Sequence, residues 1–98
     1  MLNIEYSKNA ELDLEDVADF IAKDSTKRAL AYLDKIQSTI ELISKNPSLG
    51  ITCKSKNIKL ECRILIFDEY LIFYQVTEVS IFIIRILHGS VNYKKILV

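Results

Sequence analysis

The sequence predicts an α+β domain in the order β-α-α-β-β-β. A short N-terminal strand precedes an antiparallel helical hairpin, which packs on a C-terminal antiparallel β-sheet. Three observations predict this. Residues 8–23 and 27–45 carry apolar side chains at helical spacing, separated by a short polar link. Residues 58–67, 70–76 and 80–88 are rich in β-branched and aromatic side chains and are divided by short turns. The 98 residues suit one domain, 1–98, and 50% are hydrophobic, enough for a packed core.

The elements follow in chain order. Leu2, Ile4 and Tyr6 alternate with Asn3 and Glu5, as in a strand. Ser7 stands where a hydroxyl can cap the first free N–H groups of a helix. In that helix Ala10, Leu14, Val17, Ala18 and Ile21 form one stripe, and Glu11, Glu15, Asp16 and Asp19 fall on other faces. Asp24 or Ser25 caps the second helix, whose stripe is Ala29, Tyr32, Leu33, Ile36, Ile40 and Ile43. Asn46-Pro47 ends it, because proline biases the preceding residue away from helical geometry. Gly50 is expected to supply a positive φ in the turn that follows. Residues 51–57 read as a loop or ragged edge strand. Ile58, Leu60, Cys62, Ile64 and Ile66 then alternate along one strand, and Asp68-Glu69 makes a tight hairpin to residues 70–76. Residues 80–88 are nearly all apolar, as a central strand covered on both faces would be. The tail 90–98 is expected to form a short helix or an edge segment.

Composition narrows the function classes. Formal net charge is zero, with nine acids against six bases in residues 1–47 and four against seven in residues 48–98. A protein that grips a phosphate backbone alone is usually strongly basic, so the split favours a protein partner. Cys53 and Cys62 are expected to be reduced thiols of a cytoplasmic protein, since two cysteines beside so large a core are no disulfide framework. With a single histidine they fall short of a four-ligand zinc site, and no cofactor is expected. The acidic N-terminus lacks the apolar segment of a secretory signal. The apolar runs 71–74 and 81–84 are far below the ~20 residues of a membrane span.

Five pieces of sequence, in order, resemble the RelE/ParE superfamily of toxin–antitoxin toxins. They are Asp13, Leu14, Val17, Phe20 and Ile21 on the first helix; Asn46, Pro47 and Gly50 at the end of the second; Arg63 opening a strand; Tyr70, Ile72, Phe73 and Tyr74; and Ile84 to Gly89. The helical hairpin and the Ile-Arg-Ile-Leu-His-Gly ending look more like the ParE branch. The resemblance implies a small cytoplasmic toxin that arrests growth, stabilises plasmids, poisons DNA gyrase by binding and is neutralised by a cognate antitoxin. The RelE branch implies instead an endoribonuclease acting on ribosome-bound mRNA. Members of the ParE branch often continue His-Gly with arginine and aspartate, where this chain has Ser90-Val91-Asn92. That departure implies a third reading, a non-toxic member that only pairs with its antitoxin.

RNA cleavage needs a base for the 2′-hydroxyl, positive charge on the phosphate and an acid for the leaving oxygen. Arg63, Arg85 and His88 would be the working set, with Tyr93, Lys54, Lys56 and Lys59 as further candidates. For a binding toxin, Arg63, Arg85, His88 and Tyr93 are the expected target or antitoxin contacts. The plainer alternatives are ion pairs from the arginines to the hairpin acids and a backbone-bonded strand-end histidine. Regular alternation places Arg85 on the face of Ile83 and Leu87, with His88 opposite unless Gly89 bends the strand. Tyr70 and Tyr74 share a face and read as packing residues.

Overall fold

The computed structural model describes residues 2–97. Its elements are β1 (Asn3–Tyr6), α1 (Lys8–Ala22), α2 (Thr26–Lys45), β2 (Ile51–Thr52), a 3-10 turn (Cys53–Lys56), β3 (Arg63–Phe67), β4 (Tyr70–Val76), β5 (Ser80–His88) and α3 (Tyr93–Ile96). The expected α+β order is present, with the edge strand offered for residues 51–57 realised as β2 and the short helix offered for the tail as α3.

The five strands form one sheet in the order β1-β5-β4-β3-β2. It is mixed rather than wholly antiparallel. β1 runs parallel to β5, pairing Asn3 with Ser80 and Tyr6 with Ile83, while the other pairs are antiparallel. β5 is therefore the inner strand its apolar run implies. Ser7 caps α1 by accepting from the Ala10 amide at 2.9 Å, and Ser25 caps α2 by accepting from Arg28. The Ser7 hydroxyl also donates to the Ile84 carbonyl at 2.6 Å, which fixes the start of α1 against β5.

The sheet has a core on each face. Under the helices, Ala10, Val17, Ile36, Ile40 and Ile43 meet Ile72, Tyr74, Ile81, Ile83 and Ile86. Each fully buried isoleucine contributes about 2 kcal/mol. On the opposite face a smaller core holds Cys53, Ile58, Cys62, Ile64, Phe73 and Leu87, with Leu60, Tyr93 and Leu97 packed against it. Among the described residues no long helix covers that face. Its cover is the segment 53–62 and the C-terminal tail.

Four expectations need correction here. Cys53 and Cys62 are not reduced thiols; they form a disulfide. Closing a loop of this size stabilises the fold by about 2.7 kcal/mol in the chain-entropy account. The strand expected from Ile58 begins only at Arg63. Ile58 and Cys62 are buried as their alternation requires, but in the disulfide-closed cover rather than in a ladder. Gly50 has no positive φ; Asn57 (60°) and Asp68 (54°) do. Asp68 uses it in the two-residue turn that lets Phe67 pair with Tyr70. What Gly50 supplies is room: a Cβ there would lie 2.6 Å from the Ile64 carbonyl oxygen and 2.8 Å from the Tyr74 hydroxyl.

The fourth correction concerns parity. Phe73 pairs with Arg85 and Tyr74 with Ile83, so Ile84 is an extra residue on β5, a β-bulge. Beyond it the facing pattern inverts. Ile83 and Ile86 both enter the main core, while Ile84 and Leu87 pack against the second. The strand changes face at Ile84, not at Gly89.

Buried Tyr74 joins the sheet to the exit of α2. Its hydroxyl donates to the Pro47 carbonyl and accepts from the Gly50 amide, both at 2.8 Å. Gly50→Ala should therefore lower stability by about 2–3 kcal/mol in urea unfolding, since the obstructing carbonyl belongs to β3 backbone. Burial, only partly offset by the Gly50 bond and Arg63, raises the Tyr74 phenol above its ordinary value. Burial and the Asp68 carboxylate raise Tyr32, and burial with Glu69 raises Tyr70. The folded state thus holds these protons more tightly than the unfolded state. Their contribution is complete below about pH 10 and is lost as pH rises through the folded values. Melting temperature should fall from about pH 10 upward, and Tyr74→Phe, though less stable at neutral pH, should show a shallower fall.

Candidate functional site

The chemically distinctive groups gather where β1 has ended and β5 continues. β1 stops pairing at Tyr6, opposite Ile83, and the chain turns into α1. From Ile84 onward that edge of β5 has no strand partner. Asp13, one turn into α1, takes the strand's place. Its Oδ2 accepts from the Ile86 amide at 2.9 Å and from Arg85 Nε at 2.8 Å. Its Oδ1 accepts from Arg85 Nη2 at 2.9 Å. The ion pair is bidentate, with side-chain exposures of 10% for Asp13 and 22% for Arg85. This geometry is stronger than a surface pair, and it raises the Arg85 pKa further.

The bulge at Ile84 makes the contact possible by offsetting Arg85 from the regular pleat. Past it, His88 ends β5 opposite Tyr70, and the two rings meet edge-on with centroids 5.3 Å apart. The Ser90 amide donates to His88 Nδ1 at 3.1 Å, which makes Nδ1 an acceptor. The Ser90 hydroxyl lies 2.7 Å from the same nitrogen. In the neutral ring Nε2 then carries the proton and faces Glu69 Oε2 at 3.4 Å. Tyr32 stacks edge-on against Phe67 and Tyr70 and donates to Asp68, so α2 holds the β3–β4 hairpin beside the histidine.

These groups border an open cleft of about 360 Å³, lined by Asp13, Asp16, Val17, Tyr70, Arg85, Ile86, Leu87, His88, Val91 and Ile96. Arg85 and His88 come together there. Arg63 does not: it pairs with Tyr74, four residues along β4 from the partner of His88, about 13 Å away. Its Nη1 donates instead to the Gly50 carbonyl. Tyr93 packs on Phe73 in the second core, centroids 5.6 Å apart. Lys54, Lys56 and Lys59 are exposed on the cover of that core. Of the two arginines expected to pair with hairpin acids, Arg85 does so and Arg63 does not. A second groove, about 400 Å³, lies between α1 and α2 and is lined by Tyr6, Leu14, Glu15, Ala18, Leu33, Ile36, Gln37 and Ile40.

Asp13 was missed as a site residue. The signal was its spacing: it lies three residues after Ala10 and four before Val17, on the apolar stripe. A carboxylate on a buried stripe requires partners of its own. Asp13→Ala should cost about 3 kcal/mol, because it strands both a guanidinium and the Ile86 amide. Arg85→Ala should cost less, since Asp13 keeps the amide. A double-mutant cycle in urea should give a coupling of about 1–3 kcal/mol, and additive losses would show that the pair contributes nothing as a pair.

Comparison with known proteins bears on what this arrangement belongs to. The family model described as ParE toxin of the type II toxin–antitoxin system parDE matches residues 4–93. Toxin ParE1 of Caulobacter vibrioides is 31% identical over 87 residues, covering 88% of both chains. A structure titled as the chromosomal ParDE toxin–antitoxin system from P. aeruginosa shares the fold. Its TM-score is 0.70 at 18% identity, over 90% of this chain and 96% of that one. The matched span runs from β1 to the tail and so includes Asp13, Arg85 and His88. The chain belongs to the ParE toxin family of type II toxin–antitoxin systems.

Proposed function

We propose that the protein acts by binding DNA gyrase and stabilising its cleaved-DNA state, without a catalytic centre of its own, and that a cognate antitoxin neutralises it. Family membership supports the reading, and so does the ParDE title of the structural neighbour, which speaks for an antitoxin partner. One observation carries the choice of binding over RNA cleavage. The cleft holds more carboxylate than cation: Asp13 and Asp16 line it and Glu69 adjoins His88, against Arg85 as its lysine-or-arginine charge. Arg85 already has two of its donors on Asp13. A site that stabilises a phosphorane-like transition state needs the opposite balance. The apolar residues exposed at the cleft, Val91 and Ile96, suit a protein surface.

A gyrase-binding toxin would work in the cytoplasm. Among the described residues no helix is long and apolar enough to cross a membrane. The deciding experiment is a supercoiling assay with purified gyrase. Inhibition with accumulation of cleaved DNA is expected, and addition of the antitoxin should abolish it. Neither effect at large molar excess, together with codon-specific cuts in primer extension on translated mRNA, would establish the ribonuclease reading instead. His88→Ala should weaken gyrase inhibition about tenfold while leaving the fold intact, because its side chain is 41% exposed and touches the core only at its edge, through Tyr70.

A further inference from the structure

We infer that the Cys53–Cys62 disulfide is a redox clip that holds the C-terminal segment in place beside the Arg85–His88 cleft. Both sulfurs lie in the second core, Cys53 fully buried and Cys62 8% exposed. The segment between them forms no ladder. Its backbone ties are short: Cys53 N–H to the Cys62 carbonyl, Ile58 N–H to the Cys53 carbonyl and Asn57 N–H to the Lys54 carbonyl. Two side-chain bonds join it to the sheet, Gln75 Nε2 to the Glu61 carbonyl and the Ser55 hydroxyl to the Thr52 carbonyl of β2. Without the sulfur bridge, the cover keeps only these bonds and the packing of Ile58 and Leu60 on the second core.

The tail shares the layer that the cover protects. Tyr93 and Leu97 pack on the same core, with Tyr93 against the buried ring of Phe73. Val91 and Ile96, from the same few residues, line the cleft with Arg85 and His88. The tail therefore has one side on the disulfide-closed core and the other on the candidate site. Its helix is a single turn, Tyr93–Ile96, too short to hold its shape alone. Loosening the cover opens to solvent the core on which Tyr93 and Leu97 pack, and so weakens the support of the tail.

The opening reaction is thiol–disulfide exchange with a low-molecular-weight thiol. One thiolate attacks Sγ of Cys62, the less buried of the two residues, and Cys53 leaves as a thiolate. A second thiol cleaves the mixed disulfide and releases Cys62. Two thiols are oxidised to one disulfide, and their protons end on Cys53 and Cys62. In a reducing cytoplasm such bonds are usually redox-sensing rather than permanent. That last point rests on the cytoplasmic reading above; the coupling of bond to tail does not.

The test is hydrogen–deuterium exchange on the purified full chain, oxidised and after dithiothreitol, read by peptide mass spectrometry. Reduction should speed exchange at least tenfold in peptides covering 53–62 and 91–97, with β1, α1 and α2 unchanged. The Cys53→Ser/Cys62→Ser chain should behave like the reduced protein and show no response to dithiothreitol. Two free thiols in the air-oxidised protein, or an unchanged tail after complete reduction, would overturn the inference. So would a dithiothreitol response in the double variant. Because chemical reduction tests the natural sequence, a variant that misfolds leaves the result decisive. Exchange is read without gyrase, so failure of the gyrase assay and failure of the clip are separate results.

Discussion

The tie between Asp13 and β5 is the constraint on which the architecture depends. A parallel pairing of β1 with β5 is possible only while β1 remains extended, and it ends at Tyr6 so that α1 can cross the sheet. The rest of β5 would then run on with an open edge beside a buried helix. Unpaired backbone amides there would cost about 1–3 kcal/mol each. Asp13 satisfies the Ile86 amide with one oxygen and uses its remaining capacity on Arg85. A single buried carboxylate thus ends a ladder, docks a helix and orients the charged residue that borders the cleft. Asparagine would offer one acceptor oxygen and an amide with no acceptor opposite it.

The bulge at Ile84 serves the same junction. A regular strand would direct Ile83, Arg85 and Leu87 to one face, sending either an arginine into the main core or two isoleucines out of it. The extra residue separates these demands. Ile81, Ile83 and Ile86 enter the main core, Leu87 joins the second, and Arg85 is freed to reach α1. His88 then arrives beside Tyr70 at the cleft. Without the inversion it would point into the second core beneath the tail. The position of the histidine is thus fixed four residues upstream of it.

Much of this fold was legible because periodicity reports burial directly. The helix stripes and the limits 70–76 and 80–88 follow from apolar spacing, and so do the two serine caps from their place before a stripe. What was not legible depends on pairs distant in sequence. Regular alternation could not show the bulge, because Ile81 to Ile84 and Ile86 to Leu87 are apolar on both faces and Arg85 alone does not mark a change of face. Ile58 to Ile66 alternates whether the chain enters a ladder or folds over a core, and only the link between Cys53 and Cys62 decides which. Gly50 signalled a special backbone position, but the reason is contact with Ile64 and Tyr74 rather than φ. At the site, Arg85 and His88 were each legible as candidates near the end of β5, but regular alternation set them on opposite faces. Asp13, the residue that organises them, was hidden among the acids of α1.

The residues after Gly89 show how a departure from a family pattern can exchange one interaction for another. An arginine at this point would bring a mobile cation to the rim of the cleft. Ser90 instead directs its amide at His88 Nδ1 and brings its hydroxyl to the same nitrogen. The imidazole is held in one tautomer, with its remaining N–H toward Glu69. The cleft loses a long-range attraction for anions and gains a fixed donor. For a phosphate ligand that exchange is unfavourable, since positive potential over a distance is what recruits a polyanion. For a protein surface it is close to neutral, because such interfaces depend on shape and apolar contact at the centre, with charge at the rim. The substitution that makes the sequence look weakened as a cationic toxin is therefore compatible with one that binds a protein target by fit.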